Sequence, residues 1–184
     1  DDAKLIFDLA DRIRQREVGS DVHLRGLIEF SNICIRKCQY CGLACYNKKI
    51  DRYRMKIHEI IDTAKAAEDL GYPSIVLQSG EDPYYNADRL SEVMQQIKSS
   101  TNLAITLSAG EYSYADYQQL KTAGADRYLL RFETSDEILY RKLHPDSHLQ
   151  ERLLCLEHLD QAGFQVGTGF MVGLPGETPQ IFAN

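Results

Sequence analysis

Apolar residues recur at helical spacing from the start of the chain. Leu5, Ile6, Leu9 and Ile13 share one face, which predicts an amphipathic helix over Ala3–Arg16, ended by Gly19. Val22–Phe30 then favours β structure. From residue 57 the pattern becomes regular. Helical periods over Ile57–Leu70, Ala87–Ser99, Tyr114–Ala123 and Leu149–Ala162 alternate with short apolar runs at Ser74–Gln78, Leu103–Ser108, Arg127–Glu133 and Gln165–Val172. Ala123-Gly124 and Ala162-Gly163 close two of the helices immediately before strands. Thr178-Pro179 reads as a helix N-cap followed by proline at the first helical position.

Five strand-then-helix repeats predict an α/β fold with a parallel sheet. Ser74-Ile-Val-Leu-Gln78 is too uniformly apolar for one wet face, as expected of a sheet covered by helices. The choice lies between a partial (βα) barrel of the TIM type and an open doubly wound sheet. No G-x-G-x-x-G follows an early strand, so the dinucleotide-binding version loses ground. The expected organisation is one domain, 1–184, with an N-terminal helix in 1–20 and a partial barrel of about five βα units in 21–184. Five units are short of eight, and the chain lacks an initial Met, so it reads as a fragment or an open barrel. In such a barrel the reactive site is built from the carboxyl ends of the strands. Those ends here are polar or glycine-rich: a cysteine loop, then Gln78-Ser79-Gly80-Glu81-Asp82, then Thr106, Ser108 and Gly110-Glu111, then Arg131 and Glu133, then Met171 and Gly173-Leu-Pro-Gly176. Period-two alternation puts Arg131 and Glu133 on one strand face. Such a pair is either a structural salt bridge or a ligand-binding pair.

Composition narrows the classes. The net charge is −6 and no Lys/Arg-dense run is evident, which argues against a general nucleic-acid partner. No apolar run reaches membrane-spanning length, and no signal-peptide pattern opens the chain, so a membrane or secreted protein is not expected. Five cysteines, three of them clustered, fit a reducing cytoplasm rather than a disulfide scaffold.

The clustered three are Cys34, Cys38 and Cys41, in Cys34-Ile-Arg-Lys-Cys38-Gln-Tyr-Cys41. Three thiolates on one short loop suit a cuboidal iron–sulfur cluster with one iron left without a protein ligand. Buried core cysteines are a poor alternative, because Arg36, Lys37 and Gln39 interrupt them. A zinc-binding interaction module, with Cys45 as fourth ligand, stays open, although structural zinc usually uses two separated knuckles. A ferredoxin-type carrier would space its cysteines differently and follow the last with proline. Cys155, amid Leu153, Leu154 and Leu156, reads as core. His23, His58, His144 and His148 read as surface or loop residues, and Tyr84 and Tyr85 are as suited to packing as to ligand contact.

The C-x3-C-x2-C spacing, with aromatic Tyr40 before the third cysteine, resembles the radical S-adenosylmethionine (SAM) enzymes. The resemblance implies a [4Fe–4S] cluster on Cys34, Cys38 and Cys41 whose open iron is chelated by SAM. One-electron reduction then breaks the S–C5′ bond to give a 5′-deoxyadenosyl radical. Further strings narrow it: Ile28-Glu-Phe-Ser-Asn32, Arg52-Tyr-Arg-Met55, Val76-Leu-Gln-Ser-Gly-Glu-Asp-Pro-Tyr-Tyr85, Ala125-Asp-Arg-Tyr-Leu-Leu-Arg131, Glu133-Thr134 and Met171-Val-Gly-Leu-Pro-Gly176. Together these resemble the HydE family of [FeFe]-hydrogenase maturases. Biotin synthase and the methylornithine synthase of pyrrolysine formation look like more distant relatives, and their carbon-centred chemistry is the alternative function. The resemblance implies that Gln78, Ser79, Gly80 and Glu81 hold the methionine end of SAM. It puts Glu133, Arg152 and Met171 at the ribose, carboxylate and adenosine region, and Tyr40 beside the adenine. Thr106, Ser108 and Arg131 would face a small iron–carbonyl–cyanide–cysteine substrate. The implied partners are the maturases HydG and HydF, and an electron donor such as ferredoxin or flavodoxin. About three further βα units are expected beyond Asn184.

Overall fold

The structure is a computed structural model that describes residues 2–184. The elements run α1 (Asp2–Val18), β1 (Gly26–Ser31), α2 (Ile57–Asp69), β2 (Ser74–Ser79), α3 (Ala87–Ser100), β3 (Ala104–Ser108), α4 (Tyr114–Thr122), β4 (Arg127–Leu129), α5 (Glu137–Leu143), α6 (Leu149–Gln161), β5 (Gln165–Gly167) and α7 (Pro179–Ala183). All strand pairs are parallel and the order is β1-β2-β3-β4-β5. A doubly wound sheet must reverse its strand order at a switch point. This sheet never reverses. Its helices follow one another around it, α2 on α3, α3 on α4 and α4 on α6. That is barrel winding, as expected, carried through five strands.

Period two separates the two sheet faces. Ile28, Phe30, Ile75, Leu77, Ile105, Leu107 and Tyr128 are buried in the main core, together with Ile60, Val93, Met94, Ile97, Tyr117 and Leu120 from the helices. Tyr117, Tyr128 and Phe164 stack edge to face through it, with centroids 5.3 and 5.7 Å apart. The alternate residues Val76, Gln78, Thr106, Ser108, Arg127 and Leu129 form the concave face, in register across β2, β3 and β4. Helix starts carry their own caps: Asn86 Oδ1 accepts from Arg89 N, Ser113 Oγ from Asp116 N and Asp136 Oδ1 from Leu139 N. Two acids pin elements together. Asp126 Oδ2 accepts from Lys98 Nζ and Ile105 N, both at 2.7 Å. Asp82 accepts from Ser31 Oγ at 2.6 Å and from Arg54 at 2.7 and 2.8 Å, tying the ends of β1 and β2.

The structure departs from the sequence reading in four places. β1 starts at Gly26, leaving Val22 and Leu24 exposed outside it. β4 and β5 stop at Leu129 and Gly167, short of the expected Glu133 and Val172. Beyond Leu129 the pairing becomes irregular, resuming only as an isolated parallel bridge between Glu133 and Phe170, where Glu133 lies in the left-handed region (φ 68°). Helix α5 lies in a stretch to which the periodicity assigns no element. The amphipathic helix α1 forms, but none of its residues is buried and Leu5, Ile6 and Phe7 are all exposed. Among the described residues, no helix is long and apolar enough to cross a membrane.

Candidate functional site

The loop after β1 carries the three cysteines, and a specific set of bonds shapes it. Arg52 gathers four carbonyls, those of Asn32 (2.5 Å), Leu43 (3.0 Å), Ala44 (2.8 Å) and Asn47 (3.3 Å). Ile35 N donates to Glu81 O at 3.1 Å, and Gln39 N to Leu143 O at 2.8 Å. The first contact fixes the loop to the end of β2 and the second to the end of α5. Gly80 makes the first approach possible. A Cβ there would lie 2.3 Å from Ile33 O and 2.7 Å from Cys34 Cβ.

The three cysteines line one cavity of about 200 Å³ at the carboxyl end of the sheet. Gln78, Ser79, Gly80 and Glu81 share its wall, as do Ser108, Arg131, Glu133, Arg152 and Tyr40. Cys45 does not line it. Arg36 N points at Cys34 Sγ and Leu43 N at Cys41 Sγ, each at 3.4 Å, an arrangement that favours thiolates. Burial pushes the Cys34 thiol up, and burial followed by the neighbouring Cys34 and Cys41 pushes Cys38 up to about 12. A cationic metal centre against these sulfurs would reverse that bias. Among the described residues no three His, Cys, Asp or Glu side chains are gathered tightly enough to hold a single metal ion. A cubane asks for a wider spread, because each thiolate binds a different iron. Three thiols in one cavity wall, with Cys45 outside it, match a cluster with an open corner better than a four-sulfur zinc site.

Four charges meet beside the cavity, with Arg36, Glu81 and Arg152 in its wall and Glu111 behind them. Arg36 Nε donates to Glu81 Oε2 at 2.6 Å, and Arg36 also bonds Glu111. Arg152 Nε lies 2.8 Å from Glu111 Oε1, and Arg152 lies 3.8 Å from Glu81 Oε1. Two guanidinium groups and two carboxylates thus form a neutral, largely buried quartet that joins the cysteine loop, β2, β3 and α6. Burial raises Glu81, opposed by Arg36 and Arg152 but reinforced by Glu111. Arg152 is itself buried, which an arginine tolerates only when paired. By sequence alone Arg36 has no site role and Glu111 only a place at a polar strand end. They meet partners 45 and 75 positions away, a signal that spacing does not carry.

Glu133 stands apart. It is the only described non-glycine residue with positive φ, its Oε2 is buried without a hydrogen bond, and burial raises its carboxyl against Tyr40, Arg131 and Arg152. A left-handed backbone and a buried acceptor oxygen without a partner are the features that would suit a ligand contact. Glu133 also borders a second, more apolar cavity of about 340 Å³, lined by Phe132, Leu149, Phe170 and Phe182 among others. Arg131 is exposed and shares the first cavity with Glu133 but makes no salt bridge with it. Tyr40 Oη lies 2.9 Å from His144 Nε2, and His144 stacks on Tyr140 with centroids 4.3 Å apart. His144 is buried rather than a loop or surface residue, and burial followed by Arg152 lowers it to about 4, so it is neutral.

Two expected site residues lie elsewhere. Thr106 faces inward, but it lines a separate cavity with Val76, Arg127 and Gln165, and its buried Oγ1 has no partner. Period two gives its face but not its depth: Thr106 sits two residues before Ser108 along β3, below the cysteine level. Met171 packs against Leu139, Leu143 and Leu174 and does not line the cysteine cavity. Cys155 packs on the main core, as read. Tyr85 is buried, whereas Tyr84 lies between Arg54 and Arg89, 4.4 and 4.2 Å from its ring centroid.

Comparison with known proteins follows the same lines. Residues 28–184 match the family model "Radical SAM superfamily". The HydE subunit of the [FeFe]-hydrogenase maturase from Thermotoga maritima is 51% identical over 173 residues, covering 94% of this chain and 49% of that protein. The crystal structure of methylornithine synthase superposes with a TM-score of 0.86 at 31% identity, covering 93% of this chain and 51% of that one. The maturase HydG from Carboxydothermus hydrogenoformans gives 0.84 at 28% identity, covering 91% and 40%. The chain spans about half the length of the curated relatives it matches.

Proposed function

Because the chain belongs to the radical SAM superfamily of enzymes, we propose that its cysteine cavity binds a [4Fe–4S] cluster and SAM for reductive cleavage to a 5′-deoxyadenosyl radical, in maturation of the [FeFe]-hydrogenase H-cluster. The observation that carries this reading is Glu133. A residue with left-handed backbone presents a buried carboxylate oxygen, Oε2, that has no hydrogen bond, to the same cavity as three cysteines. In this reading Cys34, Cys38 and Cys41 hold the cluster. When bound, the cluster and SAM supply the one-electron chemistry. The chain's own residues bind and orient. Arg152 offers a guanidinium to the carboxylate of SAM, and the Gln78–Glu81 backbone offers polar groups to its amino end. Glu133 accepts from ribose hydroxyls, and the apolar cavity beside it admits the flat adenosyl end. Tyr40 forms one wall. Arg131 and Ser108 face the space left for substrate. Glu81 works mainly through Arg36, which already occupies its carboxylate.

The 51% identity to a HydE subunit favours an organometallic iron substrate, with HydG and HydF as partners, a ferredoxin- or flavodoxin-type donor, and a cytoplasmic setting. The likeness to methylornithine synthase keeps carbon-centred chemistry as the second reading. The test is anaerobic incubation of iron-reconstituted protein with SAM and a reductant. Formation of 5′-deoxyadenosine and methionine, abolished in Cys38→Ala, is expected; an intact cluster that yields neither defeats the proposal. Deuterium appearing in 5′-deoxyadenosine from one labelled candidate substrate and not the others decides between the two chemistries.

A further inference from the structure

No long unbroken Lys/Arg run occurs, yet over a longer window charge is distributed very unevenly along this chain. Between Cys34 and Lys56 the sequence carries seven Lys or Arg against one Asp, a net +6. The other residues carry 14 basic against 26 acidic groups, a net −12. Three of the seven cations are engaged: Arg36 with Glu81 and Glu111, Arg54 with Asp82, and Arg52 with four carbonyls. Lys37, Lys48, Lys49 and Lys56 are exposed, and among the described residues none forms an ion pair. One acid approaches from outside the segment, Asp146, whose Oδ1 accepts from the Lys37 backbone amide at 3.4 Å.

The loop's own bonds bring three of these lysines to the outside of the cysteine turn. Cys45 N donates to Arg36 O at 2.9 Å and Tyr46 Oη to Cys38 O at 3.2 Å, so residues 45–46 lie against 36–38. Asn47 Nδ2 donates to Gly42 O at 2.8 Å, and Lys49 N to Asn47 Oδ1 at 3.0 Å, which folds Lys48 and Lys49 back beside the same turn. We propose that Lys37, Lys48 and Lys49 form the docking surface for an acidic one-electron carrier protein, which delivers its electron through the cysteine loop. The inference rests on the cluster reading above. A centre that needs one electron from outside is reached most directly over the loop that holds it. A partner with many carboxylates is repelled by the net −12 of the remaining residues and attracted at this collar, beside which α5 adds exposed Arg141 and Lys142. The opposition orients the encounter as well as speeding it.

The test is stopped-flow reduction of the reconstituted protein by reduced flavodoxin, an acidic flavoprotein, across an ionic-strength series. Photoreduced deazaflavin serves as a small reductant that needs no docking surface. The native rate with flavodoxin should fall about tenfold as salt screens the collar. Lys37→Gln/Lys48→Gln/Lys49→Gln, with a net charge of −9, should be about tenfold slower at low salt. Its salt dependence should reverse, because only repulsion is left to screen. Lys4→Gln/Arg12→Gln/Lys65→Gln, of equal charge but placed on α1 and α2, should keep the native sign. Deazaflavin should reduce all three proteins alike. Equal flavodoxin rates in the native and collar variants, or a common salt slope in the two triple variants, overturns the docking surface while deazaflavin reduction upholds the cluster. A protein that neither reductant reduces overturns both.

Discussion

Glu111→Gln tests whether the quartet beside the cysteine loop is a unit. The substitution keeps the side chain's size and removes one of two carboxylates. Arg36 then still bonds Glu81 at 2.6 Å, but Arg152 is left with Glu81 at 3.8 Å and the Tyr140 hydroxyl at 3.3 Å. Two guanidinium groups with 20% and 10% side-chain exposure would share one carboxylate. Breaking a fully buried ion pair from one side costs about 3–5 kcal/mol. The residual exposure and the surviving Glu81 reduce this to about 2–3 kcal/mol. For a chain of this length that is a fall in Tm of roughly 4–12 °C. The assay is urea and thermal unfolding of metal-free, reduced protein, so that cluster loss does not contribute. A double-mutant cycle with Arg152→Gln isolates the pair. Removing both partners leaves the neutral Arg36–Glu81 bridge, so the double variant should be more stable than the sum of the single losses by about 1–3 kcal/mol. Additivity within about 0.5 kcal/mol would refute a coupled quartet.

Three other outcomes follow from the same geometry. Cys38→Ala should reduce bound iron from about four per protein to near zero while the circular dichroism of the βα sheet persists, since no cysteine of the loop belongs to the main core; global unfolding would make the loop structural. Arg52→Gln loses most of its four carbonyl contacts, and iron should pass to a chelator about tenfold faster; an unchanged rate would remove Arg52 as the loop's clasp. Burial alone would raise the Asp82 carboxyl, but Arg54, Ser31 and the Tyr84 amide together hold it below the ordinary value. A lowered folded pKa stabilises above the unfolded value of about 3.9 and is lost as pH falls through the folded one. Asp82→Asn should therefore unfold at lower urea than the native protein at pH 7, with the gap narrowing below about pH 4; a gap constant with pH would contradict the assignment.

Local signals were readable and tertiary ones were not. The cysteine loop is a matter of spacing within eight residues, and the parallel sheet follows from periodicity and Ala-Gly helix ends, so both were legible. The expected β4 runs too long because Leu130 and Phe132 extend the apolar pattern past Leu129, where regular pairing stops. Helix α5 is only seven residues long, and its signal was a single cap, Asp136, which was overlooked. The resemblance put Thr106 and Ser108 on the cavity side, and the structure has both on the concave face, but only the register across β2, β3 and β4 sets their depth. Arg36, Glu111 and His144 gain their roles from partners distant in sequence, and nothing in their own neighbourhoods announces it.

The central claim is a metal cluster with one vacant corner in the cavity shared by Cys34, Cys38, Cys41 and Glu133. Electron paramagnetic resonance of the reduced, reconstituted protein, recorded with and without SAM, tests it most directly. The account predicts a [4Fe–4S]⁺ signal whose g-values shift when SAM is added, with the shift weakened in Glu133→Gln. A fully formed cluster whose spectrum is identical in the presence of saturating SAM would contradict it.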